Sequence, residues 1–107
     1  VMEKLYIPGT ISEVVDYLGS MMLSSPTMTH PEFPFWNIDS RFYSLNEGLA
    51  RVSKKLGEER YAKLLQLSNR MRAHFEADPD DTNGEAHKGY LLINEMEDLL
   101  LDSDAKR

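Results

Sequence analysis

Phe42, Leu45, Leu49, Val52 and Leu56 advance along the chain by three, four, three and four positions. Only a helix gathers side chains with that stepping onto one side, and only another apolar surface keeps the resulting stripe out of water. Three further stretches repeat the pattern. Ile11, Val14, Val15, Leu18, Met21 and Met22 share one face, and Tyr61, Leu64, Leu65, Leu67, Met71 and Phe75 make a wider one. Ala86, Gly89, Tyr90, Ile93, Met96 and Leu100 line a fourth face, broadened by Leu92 and Leu99. No alternating run of apolar and polar residues marks a pair of strands. The stripes must cover one another, so the expected fold is all-α, a compact four-helix bundle forming a single domain over residues 1–107.

Breakers and caps set the expected boundaries. Residues 1–9 read as a short extended lead-in stopped by Pro8 and Gly9. Thr10 and Glu13 stand at capping-box spacing, predicting a first helix from Ile11 to Leu23 that ends at the "SSP" of Ser24 to Pro26. Asp39 or Ser40 is expected to cap the second helix, which continues to Gly57. Gly48 inside it signals close packing or a kink, since a helical glycine costs roughly 1 kcal/mol relative to alanine. Glu58 and Glu59 suit the positive end of a third helix reaching Ala77. Thr82 and Glu85 form a second capping-box pair before the last helix, and residues 102–107 read as a frayed polar tail.

Composition narrows the class. At 107 residues, 41% apolar and 28% charged, the chain matches ordinary globular usage. No apolar run approaches the ~20 residues that span a bilayer, and the start lacks a basic region followed by a long apolar one. With no cysteine, disulfides and thiolate metal sites are excluded, and a reducing, cytoplasmic setting is expected. The net charge of −6 disfavours nucleic acid, whose binding rests on neutralising many phosphates. Charge is also unevenly spread. Eight Lys or Arg fall between Arg41 and Arg72 against three glutamates, whereas ten acids fall between Glu76 and Asp104 against Lys88 alone. The basic middle and the acidic end are expected to lie side by side and partly cancel.

Several chemical motifs fail on spacing. In "DPDDTNGEAHKG", setting Gly84 at the sixth position of a calcium loop places Pro79 first and Tyr90 twelfth, where oxygen ligands are required. A phosphotransfer histidine needs lysine three and glycine four positions on; His74 is followed there by Ala77 and Asp78, and His87 by Tyr90 and Leu91. A three-histidine metal site would need His30, His74 and His87 to converge. There is no G-x-S-x-G and no glycine-rich phosphate loop. No cofactor is implied.

The stretch "THPEFPFWNIDSRFYSL", Thr29 to Leu45, holds five of the ten aromatic residues beside Pro31 and Pro34. It overlaps the one long connection in the chain, Ser24 to Ile38, and connections of this length are often functional. Burying each large ring would contribute roughly 1.5–3 kcal/mol. The expectation is a prolyl-stiffened loop folded over one end of the bundle, with some rings left as anchors for a partner. Phe33, Phe35 and Trp36 are the candidate anchors, and His30, Glu32 and Asn37 the candidate polar rim.

These residues favour a non-enzymatic protein–protein interaction domain that binds through residues 29–45, with the acidic last helix as a second surface. In size, charge and class the chain resembles small acidic helical inhibitors of basic enzymes, such as the immunity proteins paired with bacterial nuclease toxins. An adaptor is the same kind of molecule. A competing enzyme reading starts from the E-x-x-D pairs Glu13 with Asp16 and Glu95 with Asp98, which resemble the magnesium-holding pairs of all-helical MazG-type nucleotide pyrophosphohydrolases. That resemblance implies a metal-dependent hydrolase with these four carboxylates as ligands, although both pairs lie opposite their apolar stripes. A third reading is self-association, the broad stripes of the last two helices sealing a homodimer.

Overall fold

The apolar stripes become helices in the order α1 (Ile11–Ser24), α2 (Ile38–Arg51), α3 (Ser53–Leu56), α4 (Glu58–Glu76) and α5 (Glu85–Ala105). The computed structural model describes residues 6–105, with side chains described to residue 101. Among the described residues there is no strand, only an isolated bridge between His30 and Phe33. The first five residues of the expected lead-in lie outside this range. Of the expected tail, the backbone is helical to Ala105 and residues 106–107 lie outside.

Among the described residues five helices stand where four were expected, because the second stripe is divided at Val52. The Ser53 hydroxyl donates to the Ala50 carbonyl at 2.8 Å, competing for an acceptor that a continuous helix would use, and Val52 takes φ −101° and ψ 10°. Both pieces still turn the seam inward, with Val52 and Leu56 buried. Gly57 then adopts φ 86° and ψ 158°, a region effectively open to glycine alone, and redirects the chain into α4.

Helix starts differ from expectation in instructive ways. Thr10 Oγ1 accepts the Glu13 N–H at 3.1 Å, as its spacing predicts, but the Glu13 carboxylate reaches back to the N–H of Gly9 at 2.8 Å. Asn37, rather than Asp39 or Ser40, caps α2. Its Oδ1 accepts the Ser40 N–H at 2.8 Å and the Ser40 hydroxyl accepts the Asn37 N–H at 3.0 Å, completing a reciprocal box. Starting one residue later than Asn37 lets Ile38 join the helix and pack against the core. Before α5 the expected Thr82 cap is displaced by Asp78. This buried carboxylate accepts N–H groups from Thr82 at 2.7 Å, Asn83 at 3.3 Å and Ala86 at 3.0 Å. A buried charge needs several donors, and the turn supplies them. Glu85, released from capping, instead meets His74 and Lys88.

α1 packs against α2 and α5, α2 against α4, and α4 most extensively against α5, while α3 touches α2, α4 and α5. Leu18, Met21, Leu45, Leu67, Met71 and Ile93 from these four long helices are completely buried between them. The radius of gyration is 13.4 Å, close to the ~13 Å expected of a compact chain near 100 residues. Two glycines mark close approaches. A Cβ on Gly48 would stand 2.6 Å from Pro8 Cγ, and one on Gly89 would stand 2.5 Å from the Phe75 ring. Packing Pro8 onto Gly48 lays the lead-in along α2 and brings the Tyr6 ring within 5.9 Å of Tyr17 on α1. α4, with four Lys or Arg against three Glu, lies beside the acidic α5. Among the described residues, no helix is long and apolar enough to cross a membrane.

Candidate functional site

The connection between α1 and α2 is built as successive turns. Within it Met28 is fully buried at φ 65°, a conformation that costs a non-glycine residue roughly 1–2 kcal/mol and that burial of its side chain offsets. The Phe33 N–H then donates to the His30 carbonyl at 3.1 Å, and the Trp36 N–H to the Phe33 carbonyl at 2.9 Å. The Ser40 hydroxyl, itself part of the α2 cap, donates to the Phe35 carbonyl at 2.8 Å. These bonds tie the segment to α2 and fix its rings. Phe33 stacks on Trp36 with centroids 4.8 Å apart, and His30 leans on both at 4.9 and 5.4 Å. Phe33 and Phe35 stay 39% and 37% exposed, whereas Phe42 continues the core at 1%. Loop and core therefore share the aromatic stretch.

Between these rings and α1 opens a cavity of about 440 Å³. Phe33, Phe35 and Trp36 form one wall, and Tyr6 of the lead-in closes one end. Glu13, Asp16, Tyr17 and Ser20 enter from α1, following one another by three, one and three positions and so sharing a helical stripe. From α2 comes Arg41.

Arg41 gives the cavity its chemistry. It is buried, 4% exposed, with its Cζ 3.7 Å from the centre of the Trp36 ring and 4.4 Å from that of Tyr17. Nη2 donates to Ser20 Oγ at 2.5 Å, and the Tyr17 hydroxyl donates to the Arg41 carbonyl at 3.4 Å. Nε is buried with no hydrogen-bond partner, the only side-chain polar atom of which this is true among the described residues. No carboxylate among them lies within ion-pair distance of it. Burial lowers the Arg41 pKa from its ordinary value, yet a guanidinium starts so high that it stays charged. Burial also raises the Tyr17 phenol, against the pull of Ser44 and Arg41, so Tyr17 is neutral and no counter-ion. Each ring face contributes about 0.5–2 kcal/mol to a cation, less than the several kcal/mol that taking an ion out of water costs. The charge is left under-compensated.

The two rim acids act on the lead-in. Glu13 is engaged with the Gly9 N–H, and after burial it is Glu13 and Asp16 that push the Tyr6 phenol upward. Acid and base thus line one mostly apolar pocket.

The chain matches no protein-family model, no curated protein and no solved structure. The site has to be read from its own geometry.

Of the six candidate partner-binding residues, Phe33, Phe35 and Trp36 line the cavity together. His30 supports them from behind, its Nδ1 accepting the Glu32 N–H at 3.1 Å. Asn37 is committed to capping α2, and Glu32 lies on the exposed turn outside the cavity lining. Of the alternative metal ligands, Glu13 and Asp16 sit on the cavity rim while Glu95 and Asp98 belong to α5 and do not line it. No group of three or more histidine or carboxylate side chains that could hold a metal forms among the described residues, so the four do not gather. The three histidines are dispersed as well: His30 among the loop rings, His74 on Glu85 at 2.8 Å, and His87 edge-on to Tyr90. Arg41, Tyr17, Ser20 and Tyr6 complete the cavity lining, and no sequence motif marks them.

Proposed function

We propose that this chain is a protein-interaction domain of the inhibitor, immunity-like or adaptor type, which docks another protein on the face formed by the aromatic connection and α1. Its scaffold is a four-helix bundle of α1, α2, α4 and α5, with α3 as a one-turn extension. The observation that carries the reading is the pairing of fixed, partly exposed rings at Phe33 and Phe35 with a cavity walled by an under-compensated guanidinium. Aromatic side chains held in place lose little entropy when a partner covers them, and such residues dominate binding hot spots. Glu13 and Asp16 on the rim, and the acidic α5 packed beside α1, favour a partner with basic residues around its docking segment. The cysteine-free composition supports a cytoplasmic setting.

A photo-reactive phenylalanine analogue placed at position 35 in cells tests this. The expected result is one discrete crosslinked product, absent when the same group replaces Lys54 in the separate depression of about 290 Å³ lined by Ser53, Gly57 and Tyr61. Equal products from both positions, or none from position 35, would contradict it.

A further inference from the structure

We infer that the cavity receives the last residue of the partner chain, its terminal carboxylate meeting Arg41 and its apolar side chain lying on Phe33 and Phe35. This assignment rests on the docking reading above and adds the chemistry of what docks.

Three observations lead to it. First, among the described residues the positive charge of Arg41 has only neutral neighbours, namely the Ser20 hydroxyl and the Tyr17 and Trp36 rings, and its Nε, closed to solvent, has no partner, so nothing inside the fold neutralises the guanidinium that lines the cavity. A guanidinium stacked on a ring keeps its N–H donors in its own plane, where they match a planar carboxylate. Second, the surrounding wall is aromatic, so the anion must arrive attached to an apolar body. About 440 Å³ accommodates one large side chain with its carboxylate, at the small end of the range for ligand pockets. Third, the chain carries a net charge of −6 and the rim holds Glu13 and Asp16. An acid-rich internal segment would be repelled, whereas a chain end brings a carboxylate and an apolar side chain on the same Cα, with nothing acidic beside them.

The test uses the whole protein labelled with nitrogen-15 and three small probes, each added to its solubility limit. N-acetyl-phenylalanine stands for a chain end, N-acetyl-phenylalaninamide for an internal residue, and phenylalaninamide for a cation. The expected result is that the acid shifts the Arg41 Nε–H and Trp36 indole N–H signals with at least tenfold higher affinity than the amide, and the cation least of all. Arg41→Met should abolish the preference of acid over amide while leaving the spectrum of a folded protein. Arg41→Lys, which keeps the charge and loses the planar fork, should retain only part of it. Equal binding of acid and amide, preference for the cation, or no shift with any probe would overturn the assignment. Crosslinking through position 35 reads the docking face independently, so a positive crosslink with indifferent probes would remove the chain-end chemistry and leave the interaction surface standing.

Discussion

The Arg41 guanidinium rests 3.7 Å from the centre of the Trp36 ring with no carboxylate in ion-pair reach among the described residues, so within them the ion is held by rings rather than by a counter-charge. If the arrangement served stability alone, an apolar residue would serve better. Arg41→Met keeps an unbranched stem and offers a polarisable sulfur to Tyr17 and Trp36. The thermal midpoint should stay level or rise. A fall beyond roughly 5 °C would mean that the cation is what pins the connection to the helices.

The exposed and buried rings of the same stretch should part company on substitution. Phe42→Ala opens a hole in the core and should destabilise by about 3–5 kcal/mol. Phe35→Ala removes a ring that is 37% exposed and should cost under about 1 kcal/mol, with the loss appearing in partner binding instead. Denaturant unfolding of the two variants checks the contrast.

Three glycines predict three outcomes. At Gly19, inside α1, an added Cβ meets nothing within 4 Å, so Gly19→Ala should stabilise by about 0.5–1 kcal/mol. At Gly89 the methyl would collide with the buried Phe75 ring, and Gly89→Ala should cost about 1–3 kcal/mol. At Gly48 the collision is with Pro8 of the lead-in. That substitution should displace Tyr6 from the pocket, read as loss of the close contacts between the Tyr6 and Tyr17 rings.

Asp78 sets a pH dependence. Burial alone would raise its carboxyl, but the N–H groups of Ala86, Thr82, Asn83 and Glu85 outweigh burial and hold it below its ordinary value of 3.8. The carboxyl titrates higher unfolded than folded, so its stabilisation is complete above the unfolded value and is lost as pH falls through the folded one. Glu85, held low by Lys88 first and then His74, acts with the same sign. The thermal midpoint should hold between about pH 7 and 5 and drop below about pH 4. Asp78→Asn should lower the neutral midpoint by roughly 5–10 °C and flatten that acid limb. A variant that parallels the wild type at every pH would contradict this.

The helices were legible because a period of three and four leaves no other geometry for Phe42 to Leu56 or Tyr61 to Phe75. The break at Val52 was not, since it turns on a hydroxyl at Ser53 choosing a carbonyl three residues back. Caps were half legible. Thr10 obeyed its spacing, while Asp78 reached eight residues forward to Ala86, beyond any local pattern. The aromatic loop pointed to three of the cavity residues. Arg41 carries a signal in its spacing: it stands three places after Ile38 and four before Leu45, on the apolar side of its helix, where a cation needs a reason. Its partners Tyr17 and Ser20 are 24 and 21 residues away, and only folding shows that they meet.

Native mass spectrometry of the untagged protein, purified gently from its own source beside the Phe35→Asp variant, tests most directly whether the aromatic face docks another protein. The expected spectrum shows a second polypeptide bound to the wild type and missing from the variant, with both proteins folded. A wild type that flies alone, or a partner retained equally by both, would contradict it.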